Sequence, residues 1–341
     1  MRDSVPWSVS LHPKSAWTTL GLLIALAVML EVAAGTGLAF VAGFHHVRHL
    51  LGRFDWTWLP ALFAAEVVSF GGYYYAYRAI IAVGGAQRLS REQLLAVAAA
   101  GFGGVLAHNG GNLDHYALRA AGADEAEARL RVAALGGLEY GGMAIGGWAA
   151  AIAALALGEH VPSSATIPWA LLPVPGFLAG FWLAERYRHL PVGAPGWRGR
   201  VARLLAGVRL IRQLFRHPLH WGWAWVAMTL FWVADFFAVW AGLAMFGYEM
   251  RVPALFVGVA TGAVFTRRIG PLAGAGVLMA ILPVTIWYCG APFAIAVAGV
   301  FAYRVLAFWL PLPVSLAALP TLRTMSARTP APAESSPGSS Q

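Results

Sequence analysis

Between residues 252 and 320 the chain is apolar almost throughout, yet it carries arginines where a lipid-facing helix would not. The stretch opens as VPALFVGVATGAVF and breaks at Thr266-Arg267-Arg268-Ile269-Gly270-Pro271. It resumes as the Gly/Ala-rich run LAGAGVLMAILPVTIWYCGAP and ends in an apolar segment with Tyr303-Arg304 near its middle. An arginine placed in hydrocarbon costs about 2.5–3.5 kcal/mol even on lenient insertion scales. Gly270, Pro271 and Gly274 also interrupt the helix, and bare backbone is not tolerated against lipid. Such a stretch folds only where its break lines a cavity or packs against protein. The chain is therefore constrained to a helical membrane protein with a polar interior.

Composition agrees with that constraint. Of 341 residues, 59% are hydrophobic and 11% charged, with a mean hydropathy of +0.64. These values place the chain among all-α, polytopic membrane proteins. A net charge of +9 raises the question of nucleic acid. The arginines cluster between apolar runs, however, which points to anionic lipid head groups and away from nucleic acid. Cys289 is the only cysteine, so no disulfide framework or cysteine metal site is expected. The first apolar run, 16–44, is too long for a signal-peptide core and lacks an A-x-A-like end, and it reads as a retained span.

In chain order the pattern predicts about six full spans plus two broken, re-entrant elements. Span 16–44 contains Glu31; span 59–81 contains Glu66 and Tyr73-Tyr74-Tyr75. The region 94–122 ends in GFGGVLAHNGGNLDHYALRAAG, where Gly103, Gly104, Gly110 and Gly111 and the polar Asn109 argue for a broken element. Span 130–157 contains Glu139 and the close-packing pairs Gly137-x-x-x-Gly141 and Gly142-x-x-x-Gly146. Span 167–184 crosses back. The segment 185–218 is rich in arginine, and Val201, Leu204, Leu205, Val208, Ile211 and Phe215 recur in it at helical spacing. That pattern predicts an amphipathic helix on the membrane surface. Span 219–246 contains Asp235, the second broken element follows, and a Pro/Ser-rich tail, 326–341, reads as disordered. The chain thus divides into one transmembrane domain, 1–325, with halves 16–184 and 219–325 around the linker 185–218.

Arginine placement puts the 185–218 segment and both termini on the cytoplasmic side of the cell membrane and the basic-free loop 158–166 outside. The two broken elements then enter from opposite faces, as in an inverted repeat. In each half a break (His108 to Gly111; Arg268 to Gly274) leads to a Gly-Ala turn and then to a helix with an internal charge, Glu139 or Arg304. Transporter folds place a site where such halves meet.

Two passages carry a resemblance to a known family: GGNLDHYALRAAGADEAEARLRVAALGGLEYG (110–141) and PLAGAGVLMAILPVTIWYCGAPFAIAVAGVFAYRVLAFWLPLP (271–313). With Ala302-Tyr303-Arg304 and Phe308-Trp309-Leu310-Pro311, they resemble the transmembrane region of the lysylphosphatidylglycerol synthase family, the flippase-like membrane domains. The resemblance implies a lipid-translocating membrane domain. Family members with an aminoacyl-transferase domain make and move aminoacylated phosphatidylglycerol. No such domain follows in this sequence, so synthase activity is not expected, and a separate synthase or other membrane protein is a partner compatible with the resemblance.

The expected substrate-binding residues are Arg267, Arg268, Arg304, Asp235, Glu139 and Asn109. Guanidinium groups and half-helix N-termini both favour a lipid phosphate or carboxylate. Arg304 and Asp235 also read as a compensating buried pair, and Glu31, Glu66 and Glu139 as proton relays, coupling-ion ligands or packing carboxyls. His108, Asp114 and His115 fit no common metal spacing; neither metal nor cofactor is expected. No nucleotide loop, nucleophile elbow or zincin motif is present. Three functional classes follow: a lipid translocator; an enzyme on lipid-linked substrates using Asp114, His115 and Asp124; and a non-transporting membrane partner that needs only packing.

Overall fold

A computed structural model describes residues 28–83, 89–102, 115, 118–119, 121–191, 196–266, 273–309 and 311–328. Among these there is no strand. The helices in order are α1 (Val28–Val41), α2 (Phe44–Leu51), α3 (Leu59–Ala82), α4 (Arg91–Phe102), α5 (Glu125–Ala156), α6 (Ser163–Leu171) and α7 (Pro173–Arg186). They continue with α8 (Gly196–Arg216), α9 (Pro218–Ala244), α10 (Val252–Thr266), α11 (Ala273–Tyr288), α12 (Phe293–Trp309) and α13 (Pro311–Arg328).

Local chemistry sets several starts. Proline occupies the first turn of α3, α7 and α9, where a missing N–H costs nothing. Ser90 and Gln93 form a reciprocal capping box at α4, with bonds of 2.9 and 3.2 Å. Asp124 accepts the Glu127 N–H at 2.7 Å and so caps α5. Between α1 and α2 the chain turns by 114° at Gly43, whose φ of 90° is a conformation that favours glycine. Ahead of α3, the Thr57 N–H and hydroxyl both donate to Asp55 and hold its carboxyl below the usual carboxylate range.

Among the described residues, three helical stretches are long and apolar enough to cross a membrane: Glu125–Ala156, Ser163–Arg186 and His220–Ala244. The bent pair α1 and α2 adds a fourth if it is one span. The chain is a membrane protein. Helix α3 was expected to be a full span. It has the length, but Glu66, Arg78, the tyrosines and paired glycines dilute its apolarity, and it is not among the three. Helices α10, α11 and α12 are shorter apolar helices, and the break expected at 267–272 lies outside the described residues. Of the first broken element, α4 and residues 115, 118–119 and 121–122 are described; its break at 103–114 is not. The tail beyond Arg328 is likewise outside.

Helix α9 is the hub, packing on α3, α12, α8, α5 and α10. Its approach to α3 is backbone against backbone. A Cβ on Gly72 would stand 2.5 Å from the Ala227 carbonyl oxygen and 2.6 Å from the Phe231 nitrogen. At the α9–α12 contact, a Cβ on Gly242 would stand 2.5 Å from the Gly299 carbonyl oxygen. Small residues thus bring the helix backbones together, as membrane packing favours. Gly72→Ala is expected to push α3 off α9 and cost about 1–3 kcal/mol, read as lower thermal stability in detergent. Unchanged stability would show that the two helices separate freely.

Helix α8 was expected to lie on the membrane surface by its apolar stripe. It forms, but it is also docked: Ala202, Ala206, Leu210 and Leu214 are buried on the protein side, against α5, α7 and α9. Gly207 lies against the backbone at Ala133 and Ala134. Trp197, Val201, Leu204 and Phe215 remain exposed. The helix therefore has two apolar faces. The sequence pattern showed one, because four of the seven buried positions are alanine or glycine, which carry little apolar signal; Ile211, counted in the predicted stripe, lies on the buried side.

Candidate functional site

The buried charges gather where α1, α3, α9 and α12 meet. From α12, Arg304 is 5% exposed and Glu31 of α1 is 6% exposed, which makes this a buried ion pair. Arg304 donates from Nε at 2.8 Å and from Nη2 at 2.6 Å, both to Oε1 of Glu31. Tyr303, the preceding residue, donates its hydroxyl to Asp235 Oδ1 of α9 at 2.7 Å. Glu66 of α3 is 3% exposed and lies in electrostatic reach of both Asp235 and Arg304. Three carboxyls, one guanidinium and one phenol from four helices share one apolar interior.

This corrects one expectation. Arg304 and Asp235 read in sequence as a compensating pair, but the ion pair Arg304 makes is with Glu31. Neighbouring helical residues point about 100° apart, so Tyr303 reaches α9 while Arg304 reaches α1. Arg304 and Asp235 still act on each other electrostatically. The two expected site residues therefore belong to one cluster without bonding as a pair.

The remaining expected site residues stand elsewhere. Glu139 is half-buried on α5; its backbone carbonyl accepts from Trp232 Nε1 at 2.9 Å, one turn of α9 before Asp235. Arg267, Arg268 and Asn109 lie outside the described residues. The acid/base trio is mostly accounted for by structure. Asp124 is occupied in capping α5. His115 stands 3.3 Å from Glu125, which also pairs with Arg119 and Arg129; Asp114 lies outside the described residues. No group of three or more His, Cys, Asp or Glu among the described residues is placed to hold a metal ion.

One buried charge had no sequence signal. Arg131, 6% exposed near the start of α5, donates from Nη1 to the backbone carbonyls of Ile80 and Val83 at the end of α3. Its Nη2 lies 3.2 Å from Glu127. In sequence it is one of several charges at a helix start. In the fold it caps another helix, satisfying carbonyls that α3 leaves orphaned.

Chemically, the Arg304 cluster can stabilise an anion brought to it, exchange that anion with Glu31, and carry protons on its carboxyls. Against known proteins, no family model matches the chain and no curated protein matches it.

Proposed function

We propose that this chain is a lipid translocator of the cytoplasmic membrane, passing an anionic lipid head group along a polar interior built around Arg304. The observation that carries the reading is the desolvated Glu31–Arg304 pair with Asp235, Tyr303 and Glu66 beside it. Intramembrane ionisable groups are costly and mark substrate or ion pathways. On this reading, Arg267 and Arg268 at the broken helix meet the head group first, and Arg304 receives it in exchange for Glu31. The chain acts as a transporter, with no covalent chemistry required.

The finer architecture belongs to the same proposal: six spans, both termini cytoplasmic, and two halves related as an inverted repeat. Contacts between helices support the repeat. If α3, α4, α5 and α6 correspond to α9, α10, α12 and α13, then the central α3–α9 contact maps onto itself. The α3–α5 contact then answers α9–α12, and α3–α12 answers α9–α5. Likewise α4–α13 answers α6–α10. Single cysteines introduced in a Cys289-free background test the orientation. Ser163→Cys is expected to label from outside intact cells, and Arg203→Cys only after permeabilisation. External labelling at 203 would reverse the orientation and remove the arginine-placement argument for the repeat.

The site is tested by Arg267→Gln with Arg268→Gln in reconstituted vesicles. Loss of charged head-group contacts is worth about 1.5–3 kcal/mol, or roughly ten- to a hundredfold in affinity. Lipid transfer is expected to fall accordingly while detergent stability stays near wild type. Normal transfer by the double variant would exclude these arginines from the path and favour a non-transporting membrane partner.

A further inference from the structure

The Glu66 side chain is 3% exposed, and its Oε1 has no hydrogen-bond partner. The charged group that acts on it from α9 is Asp235, and from α12 it is Arg304; Tyr303 of α12 stands in the same field. Helix α5 also packs on α3, but its buried charge, Arg131, meets α3 at Ile80 and Val83, several turns from Glu66. The three acidic side chains of the cluster are not equivalent. Glu31 receives two Arg304 donors. Asp235 receives the Tyr303 hydroxyl. Glu66 Oε1 receives no donor, and a carboxylate facing another in a dry interior is disfavoured twice, by desolvation and by like charge.

We propose that Glu66 is a proton-binding site, holding one exchangeable proton beside Asp235 in the folded protein. The proton enters from water, forming an O–H bond on the Glu66 carboxyl, and leaves to water, restoring the carboxylate. The proton on Glu66 removes one negative charge from the cluster around Arg304. Among the acidic residues Glu31, Glu66 and Glu139, which sequence leaves equivalent, the structure thus singles out Glu66. That this proton is the ion coupled to lipid movement rests on the translocator reading above; its presence on Glu66 does not.

Folding that buries a proton-bearing carboxyl takes up a proton at neutral pH, so raising the pH must destabilise the folded chain. The test uses the full-length protein in detergent and in vesicles. At neutral pH the infrared spectrum should show a protonated-carboxyl C=O stretch that Glu66→Gln removes. Thermal stability of the wild type should fall as pH rises, and this slope should be lost in Glu66→Gln. The infrared band is read on the folded wild type, so the test survives if the variant folds poorly; Asp235→Asn, which keeps the band, is the second comparison. Absence of the band at neutral pH would overturn the proposal. So would stabilisation by sodium over choline at fixed pH, which would make the ligand a metal cation instead. In vesicles, an imposed pH gradient should speed wild-type transfer of a fluorescent anionic phospholipid. A band present without gradient-driven transfer overturns the coupling. A wild type that moves no lipid under any condition overturns the translocator reading and leaves the proton site standing.

Discussion

Arg304→Gln is expected to lower the stability of the folded chain by about 3–5 kcal/mol, because it leaves Glu31 charged and buried without its partner. Adding Glu31→Gln should restore most of that loss, since two neutral amides no longer ask for desolvated charge. Asp235→Asn should not rescue Arg304→Gln. Its amide oxygen still accepts from the Tyr303 hydroxyl now bonded at 2.7 Å, so alone it should cost no more than about 1.5 kcal/mol. Unfolding in detergent of the three single variants and the two double variants decides between the partners. Rescue by Asp235→Asn and not by Glu31→Gln would assign Arg304 to Asp235 instead.

The second large effect is expected at Arg131. Arg131→Met keeps much of the side-chain bulk but removes the donor shared by the Ile80 and Val83 carbonyls. Each buried polar group so orphaned costs about 1–3 kcal/mol, and Glu127 loses its pair as well. The loss should concentrate at the end of α3 and be seen as faster amide exchange near residues 80–83, alongside lower global stability. Unchanged exchange there would mean that solvent or other groups already satisfy these carbonyls.

Much of the helical layout was legible because its signals are local and additive. The long apolar runs of α5, α9 and the α6–α7 stretch are read directly from hydropathy. Two features carry weaker sequence signals. The hydropathy of α3 is diluted by Glu66, Arg78, the tyrosines and the glycines, of which Gly72 makes the close α9 contact. The docked face of α8 combines Leu210, Ile211 and Leu214 with Gly199, Ala202, Ala206 and Gly207, small residues whose burial leaves little periodic apolar signal.

The site was legible as an inventory and not as a set of pairs. Sequence singled out Glu31, Glu66, Asp235 and Arg304 because ionisable groups inside apolar runs are costly. It could not join Glu31 to Arg304, which are separated by 273 positions. Nor did it assign Tyr303 to Asp235, since which of two adjacent residues faces α9 depends on the rotation of α12. Arg131 stayed hidden because a charge at a helix start is ordinary, and only the tertiary fold brings the end of α3 to it.

The most direct measurement of the central claim is leaflet-to-leaflet transfer of a fluorescent anionic phospholipid in vesicles holding the purified chain. The comparison is wild type against Glu31→Gln with Arg304→Gln, a variant designed to fold while lacking the charge pair. The wild type should transfer the lipid, and the variant should do so at least about tenfold more slowly, the effect of losing one charged contact worth about 1.4 kcal/mol or more. Equal transfer by the two, in vesicles where both are folded, would contradict a lipid path through the Arg304 cluster.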